Sequence, residues 1–60
     1  MKHIAIVRID DREIIYEGTC LYTAATYLDP GCCFGVADGA FEAASKAMSE
    51  AEQFRLRVHA

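Results

Sequence analysis

Between His3 and Ile9 the chain reads His-Ile-Ala-Ile-Val-Arg-Ile, and from Arg12 to Glu17 it reads Arg-Glu-Ile-Ile-Tyr-Glu. Both runs are rich in β-branched residues and flank Asp10-Asp11, which predicts a β-hairpin. With the two aspartates at the tip, Val7 faces Ile14 and Ala5 faces Tyr16 on one side of the sheet. The other side then pairs Arg8 with Glu13, Ile6 with Ile15 and Ile4 with Glu17, an arrangement that separates an apolar face from a mixed one. Asp-Asp is a weaker tip than Asn-Gly, so a four-residue loop is the second solution.

The period changes from two to 3.6 further on. Over residues 38–53, Phe41, Ala44, Met48 and Ala51 recur at helical spacing, with Ala40 and Ala47 widening the stripe. Asp38 is placed to cap this helix, and Glu42 to pair with Lys46 one turn on. An alanine-rich inner face lets such a helix lie close against a sheet. The following Phe54-Arg55-Leu56-Arg57-Val58-His59 alternates without a break. That predicts a half-buried antiparallel strand with Phe54, Leu56 and Val58 toward the helix and Arg55, Arg57 and His59 outward.

The middle of the chain is ambiguous. Thr19 could cap a short helix bearing Leu21, Ala24, Ala25 and Leu28, stopped by Asp29-Pro30-Gly31. Tyr22, Thr23, Thr26 and Tyr27 suit a strand as well. Gly31, Gly35 and Gly39 recur every four residues, as a loop needing positive φ or as one face of a tightly packed helix. A cost of about 1 kcal/mol for each helical glycine favours the loop. The expected architecture is one α+β domain over residues 1–60. Its small antiparallel sheet, made of the N-terminal hairpin and the C-terminal strand, packs on one main helix in the order β-β-(α)-α-β.

Composition narrows the function classes. Sixty residues with 53% hydrophobic and 25% charged side chains describe a globular domain. Nine acids against six bases, a net charge of -3, argue against direct nucleic-acid binding. The longest uncharged run, Gly18 to Leu28, is short for a membrane span, and Met1-Lys2-His3 does not open an apolar leader. A cytoplasmic protein is the expectation. At this length apolar burial only about balances conformational entropy, so a partner is expected, most simply a homodimer.

Candidate chemistry is sparse. Cys20, Cys32 and Cys33 are odd in number, and adjacent cysteines do not bridge each other without strain, so buried reduced thiols are expected. Zinc would need Cys-x-x-Cys pairs or a close His pair, whereas His3 and His59 lie at opposite ends of the chain. The glycines match neither a P-loop nor G-x-G-x-x-G. Ser45 and Ser49 have no elbow motif around them. A Cys–His pair would form only if the terminal strands were neighbours. Asp10-Asp11 sits at a solvated tip where nothing raises a pKa. No metal, cofactor or catalytic residue is expected.

Binding remains. Asp10, Asp11, Glu13 and Glu17 cluster on the hairpin, and Glu42, Glu50 and Glu52 lie along the helix. Sharing one side, they would form an acidic surface that steers toward a basic protein patch, such as that of a nucleic-acid-handling complex. In size, charge and organisation the chain resembles the small phage-encoded inhibitors of bacterial defence, anti-CRISPR proteins above all. That resemblance implies a stoichiometric inhibitor. Residues 30–47 are similar to HicB-type antitoxins: Pro30-Gly31-Cys32, Gly35, Glu42-Ala43 and Ala47 follow a hairpin in that family's order. About ten extra residues precede Pro30, one more precedes the helix, and the family's DNA-binding domain is missing. This second resemblance implies a partial RNase H-like fold that neutralises a small mRNA-cleaving toxin. A self-assembling structural protein is the remaining alternative.

Overall fold

A computed structural model describes the chain over residues 1–59, with side-chain surroundings through residue 57. Its elements are β1 (His3–Arg8), β2 (Ile14–Gly18), α1 (Leu21–Tyr27), β3 (Cys32–Ala37) and α2 (Ala40–His59). The α+β class, the small antiparallel sheet and the long main helix are as the sequence predicts, and the order is β-β-α-β-α. The strands lie in the order β2-β1-β3, all antiparallel, so the N-terminal strand is central.

The hairpin closes with a four-residue loop. Arg8 N–H donates to the Glu13 carbonyl at 2.9 Å, and Arg12 N–H donates back to the Arg8 carbonyl at 2.8 Å. Arg12 takes a left-handed φ of 57° to make the return. Arg8 also clamps the tip through its side chain, Nε to Asp11 Oδ1 at 3.1 Å and Nη2 to Glu13 Oε2 at 2.7 Å. Val7 faces Ile14 as expected, but Ile6 then faces Tyr16 and Ala5 faces Glu17. Ile15 is an extra residue, a bulge, and it exchanges the faces of the two that follow. Tyr16 joins Ile4 and Ile6 on one face, whereas Glu17 joins Ala5 on the other.

The third strand is Cys32–Ala37, and Phe54–His59 is not a strand but the last turns of α2. No glycine or proline interrupts the chain from Ala40 to His59. Extending a helix by one residue is cheaper than ordering a new strand, and Arg and Leu are good helix formers. Phe54, Arg55, Leu56 and Arg57 are therefore exposed beyond the sheet; the side chains of Val58 and His59 lie outside the described residues. The glycines serve neither as positive-φ hinges nor as a helix face. Gly31 closes an Asp29-Pro30-Gly31-Cys32 turn, with its N–H on Asp29 Oδ1 at 2.8 Å and Cys32 N–H on the Asp29 carbonyl at 3.0 Å. Gly39 accepts the first helical bond, from Ala43 N–H, so Asp38 stands one residue before the cap and pairs with Lys2 at 2.8 Å instead.

Gly35 is where α2 crosses the sheet. A Cβ built on it would fall against the Ala43 carbonyl, 2.5 Å from Ala47 N and 2.9 Å from Lys46 Cβ. Such an approach admits only small residues, and Ala43, Ala47 and Ala51 are the fully buried positions of α2, packed on Ala5, Val7, Ile9 and Ala37. The inner stripe is thus turned from the expected one: Ala44 and Met48 flank it, and Phe41 stands in solvent at 85% exposure.

The opposite face of the sheet holds a smaller core, in which α1 lays Ala24 over Ile4 and Ile6 beside Tyr16. No side chain caps α1, so Thr19 does not play the expected role. The hydroxyl of Tyr16 accepts the Cys20 N–H at 3.2 Å and donates to the Cys20 carbonyl at 3.3 Å, while its ring stacks on Tyr27 at 5.6 Å. One tyrosine therefore grips α1 at both ends. Because α1 lies over β1 and β2, the β3 side chains Phe34 and Val36 on this face stay 54% and 38% exposed.

Candidate protein-binding surface

The seven acids read as a binding face divide among different surroundings. At the hairpin tip, Asp11 and Glu13 both hold Arg8, whose guanidinium keeps the Asp11 carboxyl below the usual aspartate range, chiefly through its hydrogen bond. Asp10 is exposed at the same tip with no cation within ion-pairing distance among the described residues. On α2, successive residues turn by about 100°, so Glu50 and Glu52 point to opposite flanks. Glu52 reaches toward the hairpin, 3.8 Å from Arg12. Glu50 lines a groove on the β3 side. The hairpin tip and the Glu52 flank share a side, whereas Glu42 and Glu50 lie beside Lys46 toward β3, so the seven acids do not form the single face expected, and two of the tip acids are spent within the protein.

Glu17 has a different setting, and the bulge makes it. Moved to the α2 face, it borders a cleft of about 570 Å³ between β2 and α2, with Ile14, Ala44 and Met48 as apolar lining and Phe41 as one wall. Phe41 also walls the adjoining depression that holds Glu42, Lys46 and Ser49. An exposed phenyl ring therefore stands between Glu17 and Glu42, neither of which has an ion-pair partner among the described residues. The helical spacing predicts Phe41 in the core; Ala43, in register with Ala47 and Ala51, is the position that takes its place.

A second open surface follows β3. The strand is at the sheet edge, and beside it a groove of about 590 Å³ is lined by the strand and by Lys46, Ser49 and Glu50. Lys46 Nζ donates to the Val36 carbonyl at 3.3 Å across it.

Among the described residues the histidine and the thiols lie apart. His3 lies opposite Ala37 and Cys33 opposite Val7, a separation of four residues or about 13 Å along the strand. His3 is thus out of reach as a base for either thiol of β3. Cys32 and Cys33 are half-buried, and that burial pushes both thiols up. Cys20 is exposed, and a hydrogen bond from Thr23 draws its thiol down. Among the described residues no three His, Cys, Asp or Glu side chains gather as a metal site would need, and no helix is long and apolar enough to cross a membrane. The chain matches no protein-family model, no curated protein and no solved structure.

Proposed function

We propose that the protein acts by stoichiometric binding, without turnover, as an inhibitor that seats on a basic surface of a nucleic-acid-handling protein complex and blocks it. The observation that carries this reading is Phe41, 85% exposed at the start of α2 between the carboxylates Glu17 and Glu42, unpaired among the described residues, and beside an apolar cleft. An aromatic anchor bordered by charge is how a small surface gains both affinity and orientation. Asp10 and the Glu52 flank extend the negative side toward the hairpin tip. The test is recovery of partners by the tagged protein from nuclease-treated host lysate. One complex in stoichiometric amount is expected, retained at least tenfold less by Phe41→Ala and by the Glu17→Lys, Glu42→Lys pair. A partner held equally well by all these variants overturns the proposal.

A toxin-neutralising antitoxin of HicB type is the second reading, and one observation favours it. Pro30-Gly31-Cys32, Gly35, Ala43 and Ala47 fall on the turn into β3, the helix crossing and the inner face of α2. The surplus residues before Pro30 include α1, set on the opposite face of the sheet from α2. On this reading, coexpression rescues cells from a small mRNA-cleaving toxin encoded beside this protein, and no defence complex is recovered.

A further inference from the structure

We infer that two copies of this chain pair through their β3 edges, antiparallel about a two-fold axis at Phe34, into a continuous six-stranded sheet. The backbone directions establish which groups are on offer. In β1, Arg8 N–H goes to Glu13 on the hairpin side, and Ile9 N–H goes to the Gly31 carbonyl on the other. Alternation then aims the odd-numbered residues of β1 at β3, where their partners are Cys33, Gly35 and Ala37. Cys32, Phe34 and Val36 therefore aim their amides and carbonyls outward. The Lys46 bond to the Val36 carbonyl, made from outside the sheet, agrees. Cys32 N–H is taken by the turn, which leaves Phe34 presenting both a donor and an acceptor at the middle of the strand. Two copies of Phe34 facing each other exchange two hydrogen bonds, and each Val36 then faces the other copy's Cys32.

Charge makes the edge complementary to itself rather than to an arbitrary strand. α2 runs antiparallel to β3: Lys46 is level with Gly35 and Val36, and Glu50 is close enough to Cys33 to act on its thiol. A two-fold axis at Phe34 passes midway between them. It brings Lys46 of each copy against Glu50 of the other, two ion pairs from one symmetric contact. Space permits this, because α2 packs on both β1 and β3. With strands about 4.8 Å apart, a helix seated over the β1–β3 seam would lie roughly 10 Å from its symmetry mate, an ordinary helix–helix distance. On the other face, Phe34 and Val36, exposed in the single chain, cover one another across the new strand pair.

Sedimentation equilibrium of the whole protein tests this. The native chain should dimerise, Lys46→Glu alone and Glu50→Lys alone should each weaken the dimer about tenfold, and the double swap should restore it, because exchanged charges again meet their opposites. Phe34→Pro removes the outward N–H together with the half-exposed ring, and no bond to β1 is lost, so it should abolish the dimer while circular dichroism keeps the fold. A native chain that stays monomeric up to about 1 mM, or a double swap as dissociated as the single variants, overturns the inference. So does a dimer indifferent to Phe34→Pro.

Discussion

Gly35 passes so close beneath Ala47 that a methyl group on the glycine would come within 2.5 Å of the alanine's backbone nitrogen. Backbone cannot give way as the far end of a side chain can. Gly35→Ala should therefore lift α2 off β3 and loosen the packing of Ala43, Ala47 and Ala51 against Ala5 and Val7. A loss of about 1–3 kcal/mol is expected, the usual range for forcing a methyl into a packed contact. Urea unfolding checks it: the midpoint should fall with little change in slope. The reverse approach, Ala47→Gly, creates no clash and should cost about 1–2 kcal/mol, from helix propensity and the lost burial of its methyl group.

The hold of Tyr16 on α1 leads to a second expectation. Tyr16→Phe keeps the ring on Tyr27 but removes both hydrogen bonds to Cys20, leaving the start of an uncapped seven-residue helix without its anchor. Global stability should fall by about 1 kcal/mol. Local opening should change more, since a helix this short does not stand without tertiary contacts. Amide hydrogen exchange in α1 should accelerate several-fold in the variant, while α2 exchanges at nearly its native rate. Equal acceleration in both helices would mean that α1 is not a separate unit.

The same two contacts explain what could be read in the sequence. The hairpin was legible because alternation and the Arg8–Glu13 pair point to one register at its tip. The bulge at Ile15 was not, since Ile14 and Ile15 are chemically interchangeable and only packing decides which of them is surplus. That single residue carries Tyr16 to the α1 face and Glu17 to the cleft, so the candidate site could not be assembled from spacing. Residues 32–37 hid a strand because small residues facing a close helix, Cys33, Gly35 and Ala37, give no hydrophobic alternation of their own. Phe54–His59 showed perfect alternation and became helix, because no neighbouring strand competed with the propagation of α2. The acids were legible as a group by sequence, but their division by Arg8 and Arg12 depends on loop geometry.

Acid should lower the stability of the protein modestly by way of its exposed ion pairs. Asp11 is held low by the hydrogen bond from Arg8, and Asp38 by that from Lys2. A carboxyl depressed in the folded state favours folding once it is ionised. Its contribution is present above the unfolded pKa and lost as pH falls through the folded one. The denaturation midpoint should accordingly drop on the acid side of the ordinary aspartate range and stay level from there up to neutrality. Both sites are open to solvent, so added salt should shrink the drop. Arg8→Gln should remove the part belonging to Asp11; an unchanged acid limb in that variant would contradict the assignment.

Thiol reactivity should separate the three cysteines. The Thr23 hydrogen bond favours the Cys20 thiolate, and that side chain is exposed, whereas burial disfavours the thiolates of Cys32 and Cys33, the latter also facing Glu50. Alkylation near neutral pH follows thiolate content and access together. Mass spectrometry should find Cys20 modified first and the β3 pair lagging until denaturant is added. Simultaneous labelling of all three in the folded protein would show that the β3 edge opens readily.

Functional prediction turns on which acids are free. Asp11 and Glu13 hold the hairpin loop through Arg8, so reversing them disturbs the fold as well as any partner, and loss of binding would say little. Glu17 and Glu42 have no such duty among the described residues, and Phe41 is almost fully exposed. Phe41→Ala should leave the unfolding free energy within about 0.5 kcal/mol of native, as surface substitutions do, while partner affinity falls at least tenfold. Glu17→Lys with Glu42→Lys should act differently, slowing association most at low ionic strength, because rim charges steer encounter more than they hold the complex. Asp10→Lys should follow the same salt dependence with a smaller effect, its distance from Phe41 leaving it outside the anchored contact. A salt-independent loss in the charge variants would mean that they disrupt packing in the β2–α2 cleft rather than attraction to a basic surface.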